Sequence, residues 1–247
     1  MRNLTKTGSK INSKIGKAIH DYKLINEGDR ILIAVSGGKD SITLLHFLKN
    51  IQSWAPVKFD LSAIHIQTDL SCGGRVHKDF LSKMFENLDI GCTVKNIKVL
   101  DEKGKTSCFW CAWNRRKTIF KFAEETKCNK IALGHHKDDI AETILMNLLY
   151  KGEISAMNPR QELFDGKLTI VRPLCYVEED MIIKFAKENG FREQLFKCPY
   201  GKTSQRKYIK DFIRETEQKL PGVNIKTNIF NGPMRIKEEY INLKMEK

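Results

Sequence analysis

Short apolar runs alternate along the chain with stretches whose apolar residues recur at helical spacing. The apolar runs predict β-strands over residues 31–35, 58–67, 92–99, 130–134 and 168–174. The helical spacing predicts α-helices over residues 40–50, 76–88, 111–127, 138–150 and 178–190. This alternation predicts an α/β fold with an open, mostly parallel sheet and helices on both faces.

The remaining stretches predict loops and helical additions to this sheet. Residues 151–167 and 194–204 have no sustained pattern and are predicted as loops. Both ends of the chain are basic and favour helix. We therefore expect three parts: a basic helical segment over 1–27, an α/β domain over 28–195 and a basic helical segment over 196–247.

The charge of the chain indicates the kind of partner it has. Its 247 residues have a formal net charge of +13, and the basic side chains gather in residues 6–23 and 197–210. Clustered Lys and Arg gain affinity for nucleic acids by releasing counterions, although a solvated Lys-rich surface would look similar. No apolar run is long enough for a membrane span or a secretory signal, so we expect a cytoplasmic protein without a membrane partner.

The turn after the first predicted strand is the first candidate site. It reads Ser36, Gly37, Gly38, Lys39, Asp40 and Ser41. In open parallel sheets ligands bind beyond the carboxyl ends of the strands. Glycine lets backbone N–H groups approach a ligand, and the first N–H groups of the next helix lack partners within that helix. With the charge of Lys39, the turn predicts an anion site, most naturally for phosphate. The aspartate after the lysine departs from the Walker A pattern.

This strand, Ser-Gly-Gly-x-Asp-Ser turn and helix resemble the PP-loop of ATP pyrophosphatases, which split ATP between the α and β phosphates. The resemblance implies that all six residues of the turn contact the pyrophosphate part of ATP. It also implies that Mg²⁺ shields the phosphate charge. Lys39 and Asp40 are then expected to serve the reaction itself.

A second segment, "ALGHHKDDIAET" over residues 132–143, resembles the G-H-x-x-D-D-x-x-E-T signature of the RNA-modifying branch of the same superfamily. The resemblance implies nucleotide contacts from Gly134, His135, Asp138 and Asp139. The two aspartates also suit an ordinary helix start, which is the alternative for them. Asp69, beyond the second predicted strand, is a further candidate for the nucleotide.

The seven cysteines are expected to be thiols, since disulfides are rare in the cytoplasm. Cys108 and Cys111 form a C-x-x-C pair immediately before a predicted helix, a place that favours thiolate. Such a pair suits a redox site, half of a zinc site or an iron–sulfur site. Cys198 lies far downstream, and Cys72, beyond a strand end, is a candidate sulfur relay. The cysteines beside predicted strands are expected to be small core residues: Cys92, Cys128 and Cys175.

The motifs follow one another along the chain as the C-x-x-C pair followed by "NRR", then "GHHKDD", "IVRPL" and a later cysteine before a basic helix. In the order of these motifs, the chain resembles the TtcA family of tRNA 2-thiocytidine synthetases. The similarity runs over about residues 15–230. It implies that Cys108, Cys111 and Cys198 hold a 4Fe–4S cluster with one open iron. Many relatives have a second cysteine three residues after the later one, whereas this chain reads "CPYG". That difference rules out a fourth ligand or a persulfide carrier at this position.

The same resemblance implies an ATP-dependent tRNA sulfurtransferase. ATP would adenylate the C2 oxygen of an anticodon-loop cytidine, cytidine 32 by resemblance, and sulfur would replace that oxygen with release of AMP and pyrophosphate. The implied partners are tRNA, a sulfur donor (a cysteine desulfurase or sulfide) and a second copy of the chain. The side chains expected to bind RNA are Arg115, Arg116, Arg172, Lys202, Arg206 and Lys207. Phe109, Trp110 and Trp113 are expected in the core, with base stacking as the alternative.

Three other functions remain open from the sequence. One is another PP-loop tRNA enzyme, a 2-thiouridine or lysidine synthetase, although a lysidine enzyme has no use for the three cysteines. The 2-thiouridine enzymes of archaeal type usually carry paired zinc motifs that this sequence lacks. The others are a non-catalytic sensor that binds ATP and a cluster, and a plain RNA-binding module.

Overall fold

The computed structural model describes residues 4–70, 76–191, 205–237 and 239. These residues fall into two compact units. The first unit takes Met1–His136 with Asn158–Lys202, and the second takes Lys137–Met157 with Thr203–Lys247. No helix within the described ranges is long and apolar enough to cross a membrane.

The first unit is built on a six-stranded sheet. Its strands are β1 Asp29–Ala34, β2 Phe59–Thr68, β3 Cys92–Ile97, β4 Lys130–Ala132, β5 Arg160–Leu163 and β6 Leu168–Val171. The spatial order is β3-β2-β1-β4-β6-β5, and every neighbouring pair is parallel except β5 with β6. This confirms the predicted open, mostly parallel α/β sheet. Because the order reverses direction at β1, the carboxyl end of β1 is the place where such sheets bind ligands.

The helices begin and end close to their predicted positions. In chain order they are α1 Lys6–Tyr22, α2 Lys39–Gln52, α3 Val76–Leu88, α4 Cys108–Glu125, α5 Lys137–Lys151, α6 Glu179–Glu188, α7 Gln205–Lys219 and α8 Ile225–Asn231. A short 3₁₀-helix, Gly232–Met234, follows α8. Of these, α5, α7 and α8 belong to the second unit, where α7 buries Ile209 and Ile213 at helical spacing.

Both faces of the sheet are covered. Leu32 of β1 belongs to a buried cluster with Ile64 and with Ala123 of α4. Ile31 and Ile33 point to the opposite face of the same strand, and they are also buried. Burial on both faces explains why the parallel strands read as continuous apolar runs rather than as alternating ones.

The structure corrects two predictions. Strand β5 lies inside residues 151–167, which the sequence predicted as a loop; it is a polar, mostly exposed edge strand, so it carries no apolar pattern. The second correction concerns the C-x-x-C pair, predicted to precede its helix. Cys108 is instead the first residue of α4, because Ser107 caps this helix by accepting a hydrogen bond from the N–H of Trp110.

Candidate nucleotide and thiolate site

The glycine turn joins β1 to α2 and is held by its own hydroxyl groups. The N–H of Ser36 donates to Ser41 Oγ over 3.1 Å, and Ser41 Oγ donates to the carbonyl of Gly38 over 3.0 Å. Gly37 has a φ of +86°, a conformation that favours glycine. Gly38 caps α2 without a side-chain hydrogen bond, so the first N–H groups of α2 remain for an outside acceptor. The turn is therefore a preformed cradle for an anion.

Lys39 supplies the positive charge of this cradle. Its Nζ lies 3.0 Å from Glu179 Oε1 and 3.2 Å from Asp40 Oδ1. Burial disfavours the charged form, but the carboxylates of Asp40 and Glu179 outweigh it and raise the pKa of Lys39. The sequence predicts Lys39 and Asp40 here but misses Glu179, an acidic residue in the first turn of α6 that no local motif marks.

One carboxylate oxygen of Asp40 has an ion-pair contact but no hydrogen bond. Its Oδ1 is buried and lies 3.2 Å from Lys39 Nζ, but it accepts no hydrogen bond from the described residues, since the hydrogen bond from Lys39 goes to Oδ2. The Nε2 atom of the buried His136 lies 3.8 Å from the same Oδ1. A buried carboxylate oxygen of this kind suits a hard cation such as Mg²⁺, which binds through carboxylates together with phosphates.

Gly134 brings the end of β4 against the start of α2. A Cβ atom at Gly134 would lie 3.0 Å from the backbone nitrogen of Ser41 and 3.1 Å from the carbonyl carbon of Asp40. Such contacts are too close, so only glycine fits here without a shift of the turn. The residue was predicted for approach to the nucleotide, and the structure adds close packing against the glycine turn.

Arg172 is buried beside His135 rather than spread on the surface. Its Nε donates to His135 Nδ1 over 3.3 Å, and its Nη2 donates to Gln161 Oε1 over 3.4 Å. Burial, helped by the charge of Arg116, lowers the pKa of Arg172 to about 10, so it stays protonated at neutral pH.

The two aspartates of the second signature lie in the second unit and pair there with basic residues. Asp138 Oδ1 lies 2.8 Å from Lys226 Nζ. Arg206, predicted to bind RNA, places Nη1 3.0 Å from Glu142 Oε2 and 3.4 Å from Asp139 Oδ1. Burial raises the pKa of Glu142, and Arg206 opposes that shift. The second half of the signature therefore anchors α7 and α8 on α5.

The C-x-x-C pair lines a pocket of about 230 Å³. Its walls are Leu70, Thr106, Ser107, Cys108, Cys111, Ala112 and Arg115. Cys108 is exposed and Cys111 is half-buried. The Nε of Arg115 is buried with no hydrogen-bond partner among the described residues. The pocket thus combines two thiols one helical turn apart with a guanidinium group that has capacity for an anion.

Other predicted residues lie apart from these two features. Asp69 Oδ1 accepts the N–H of Val99 over 2.9 Å, so this carboxylate braces the chain after β3. Cys128 and Cys175 are buried as predicted, and burial raises the pKa of Cys175 to about 12. Three further predictions lie outside the described residues: Cys72, Cys198 and Lys202. Within the described part of the chain, no group of three or more His, Cys, Asp or Glu residues is placed to hold a metal ion.

The core prediction for the aromatic residues of α4 was wrong. Phe109, Trp110 and Trp113 are all exposed at the start of the helix. The face of α4 that packs on the sheet is formed by residues further along the helix, such as Ile119 and Ala123.

The chain is similar to known proteins over most of its length. A family model described as a PP-loop domain matches residues 7–216, so the fold and the glycine turn define a PP-loop protein. The tRNA-cytidine(32) 2-sulfurtransferase of Geobacter metallireducens is 41% identical over 222 residues, which cover 87% of this chain and 85% of that protein. The enzyme of the same name from Syntrophotalea carbinolica is 38% identical over 86% of this chain and 84% of its own length. The chain belongs to the family of tRNA-cytidine(32) 2-sulfurtransferases.

A solved structure shares the fold. The U34-tRNA thiolase NcsA from Methanococcus maripaludis, solved with its [4Fe-4S] cluster, superposes with a TM-score of 0.73 at 23% identity. The match covers 95% of this chain and 80% of that protein.

Proposed function

We propose that this chain is an ATP-dependent tRNA sulfurtransferase that converts cytidine 32 of the anticodon loop to 2-thiocytidine, releasing AMP and pyrophosphate. The supporting observation is the shared edge of the sheet. The glycine turn follows the carboxyl end of β1, and Leu70 of the thiol pocket follows the carboxyl end of β2, which is its parallel neighbour. Carboxyl ends of parallel strands meet at one edge, so a phosphate cradle and two thiols share that edge.

The glycine turn would carry the adenylation step. The C2 oxygen of the cytidine attacks the α-phosphorus of ATP, the bond to the β-phosphate oxygen breaks, and pyrophosphate leaves. Lys39 and the first N–H groups of α2 stabilise the charge that develops on pyrophosphate. Asp40 Oδ1 would bind the Mg²⁺ ion that accompanies ATP. Lys39 then exchanges a contact with Glu179 or Asp40 for one with phosphate.

Cys108, Cys111 and Cys198 would hold a 4Fe–4S cluster that leaves one iron open. The described residues fit this group, since two thiols lie one turn apart at a helix start and line an open pocket. When bound, the cluster supplies a place for the sulfur atom that replaces the C2 oxygen. Arg115 and Arg116 would bind RNA beside it, and the partners would be tRNA, a cysteine desulfurase or sulfide, and a second copy of the chain.

Mass spectrometry of tRNA nucleosides from cells with and without the gene tests the product. We expect 2-thiocytidine to disappear with the gene, and its persistence would contradict the substrate assignment. Loss of lysidine or of 2-thiouridine instead would support the other PP-loop tRNA enzymes.

A cysteine variant separates the two half-reactions in vitro. With Cys108→Ala we expect loss of 2-thiocytidine, while tRNA-dependent release of pyrophosphate persists. If this variant forms as much 2-thiocytidine as the wild type, Cys108 is not needed for the reaction and the cluster proposal is contradicted. ATP binding without pyrophosphate release by the wild-type protein would favour the sensor.

A further inference from the structure

Three exposed aromatic side chains lie on the first two turns of α4, where they are interleaved in sequence with the C-x-x-C pair. Phe109 is 78% exposed, Trp110 is 50% exposed and Trp113 is 51% exposed. Phe109 and Trp113 are four residues apart and therefore neighbours on the helix surface. Large apolar side chains grouped at the surface mark an interaction site more often than a chance arrangement.

The charges around this cluster indicate a polyanion. Between Cys108 and Lys121 the charged residues of α4 are all basic, and Arg116 and Lys117 are exposed. They follow Trp113 by three and four residues, so each lies next to it on the helix surface. Aromatic rings interleaved with cations match single-stranded RNA, whose bases stack on the rings while its phosphates contact the cations.

The position of the cluster also fits RNA. The tryptophans alternate along α4 with Cys108 and Cys111, which line the pocket that the proposed reaction uses. A base that enters such a pocket must leave its stack, which costs free energy and leaves its neighbours unstacked. The three aromatic side chains are not among the described residues that line the pocket, and they lie on another face of the same helical turns. There they would offset that cost by offering the neighbouring bases a new stacking partner.

We propose that Phe109, Trp110 and Trp113 form a stacking surface for the unpaired bases of an RNA loop, with Arg116 and Lys117 on its phosphates. This inference rests on the proposed function, because it takes the anticodon loop as the RNA. It assigns the aromatic residues a role in binding and none in the chemical steps.

Binding of a labelled synthetic anticodon stem-loop to the full chain tests the surface. We expect Trp113→Ala to raise Kd about ten-fold, since each stacked base contributes about that much, and Trp113→Phe to keep most of the affinity. Lys117→Ala should lower the slope of log K against log salt by about 0.7. The matched control is Trp54→Ala, which removes a tryptophan that is 45% exposed but lies after α2. Equal weakening by Trp54→Ala, or none by Trp113→Ala, would overturn the proposal.

Intrinsic fluorescence distinguishes stacking from charge attraction and from a protein partner. The chain has three tryptophans, so Trp54→Phe leaves only Trp110 and Trp113 as reporters. The stem-loop should quench them, and heparin, a polyanion without bases, should not. Equal quenching by heparin would overturn stacking. A response to the sulfur-donor protein but not to RNA would make the surface a protein interface and overturn the proposal.

Product analysis separates this inference from the proposed function. If 2-thiocytidine forms normally and Trp113→Ala binds RNA like the wild type, the stacking surface fails and the function stands. If no 2-thiocytidine forms, yet RNA binding depends on Trp113 and not on Trp54, the function fails and the binding surface stands.

Discussion

Each edge of the sheet holds a lysine paired with an aspartate, but the two charge clusters differ in burial and in hydrogen bonding. At the amino edge, Lys130 Nζ lies 2.6 Å from Asp29 Oδ2, and both side chains are almost fully buried. Asp29 also accepts hydrogen bonds from Asn26 and Asn129, and Lys130 donates to the carbonyl of Leu24. Both carboxylate oxygens of Asp29 accept hydrogen bonds, and Lys130 Nζ contacts both Asp29 and the carbonyl of Leu24, so we infer that the cluster is structural.

At the carboxyl edge the corresponding cluster is more exposed to solvent, and one of its carboxylate oxygens lacks a hydrogen bond. Lys39 is 24% exposed, and Asp40 Oδ1 accepts no hydrogen bond from the described residues. Buried polar groups are satisfied in most native structures, so an exception needs an explanation. A ligand that brings phosphate to Lys39 and a cation to Asp40 would complete this cluster. From this comparison we infer that the amino-edge cluster serves stability, and we propose that the carboxyl-edge cluster serves binding.

Lys130→Met should give the largest effect and should act on stability alone. It leaves the buried carboxylate of Asp29 without its cation, which costs about 3–5 kcal/mol in the free energy of unfolding. Denaturant titration measures the loss. The double variant Asp29→Asn with Lys130→Met should recover much of it, because neither charge then remains buried alone. A single variant as stable as the wild type would contradict a structural role for this pair.

Lys39→Met, in contrast, should act mainly on activity. We expect tRNA-dependent pyrophosphate release to fall about 100-fold or more, as when a preorganised donor to a developing charge is lost. The free energy of unfolding should fall less than in Lys130→Met, because Lys39 and Asp40 are partly exposed whereas Lys130 and Asp29 are almost fully buried. If instead Lys39→Met destabilises the fold as much as Lys130→Met while activity per folded molecule stays normal, the two edges do not differ as argued.

Gly134→Ala should act on the carboxyl edge through its backbone. The added methyl group meets the backbone of Ser41 and Asp40 at 3.0–3.1 Å, so the glycine turn must shift. Overpacking of this kind costs about 1–3 kcal/mol, and we expect ATP affinity to fall as well. Gly91→Ala is the matched control, since a Cβ there meets nothing within 4 Å. Equal effects of the two changes would remove the packing role of Gly134.

Local patterns predict the sheet and the glycine turn because both are encoded by contiguous residues. Strands buried on both faces read as apolar runs, and α3 begins and ends where its helical spacing predicts, at Val76 and Leu88. Strand β5 was not predicted, because it is a polar edge strand without an apolar pattern. Asp165 and Gly166, in the turn between β5 and β6, were the available signal for that hairpin.

The charge partners of the site residues could not be predicted from the sequence, for a different reason. Glu179 binds Lys39 across 140 positions of sequence, and Lys226 binds Asp138 in the second unit. Each is an ordinary charged residue of a helix, and only the tertiary fold determines which charge it meets. The exposure of Trp110 and Trp113 also depends on which face α4 buries, and residues at mixed helical spacing do not determine that face.

Glu179→Gln should have the smallest effect on activity. It tests whether the contact between Glu179 and Lys39 matters at the carboxyl edge. Because Glu179 helps to raise the pKa of Lys39, its removal lowers that pKa while Lys39 remains charged at neutral pH. The stabilisation from a raised lysine pKa is present below the unfolded pKa and is lost as pH rises through the folded pKa. We therefore expect the alkaline limb of the pH–activity profile to move to lower pH, with a few-fold change in KM for ATP at neutral pH. The control is Glu178→Gln, because this neighbouring glutamate pairs with Lys14 of α1. A profile that moves equally in both variants would assign the effect to the start of α6 as a whole rather than to the contact between Glu179 and Lys39.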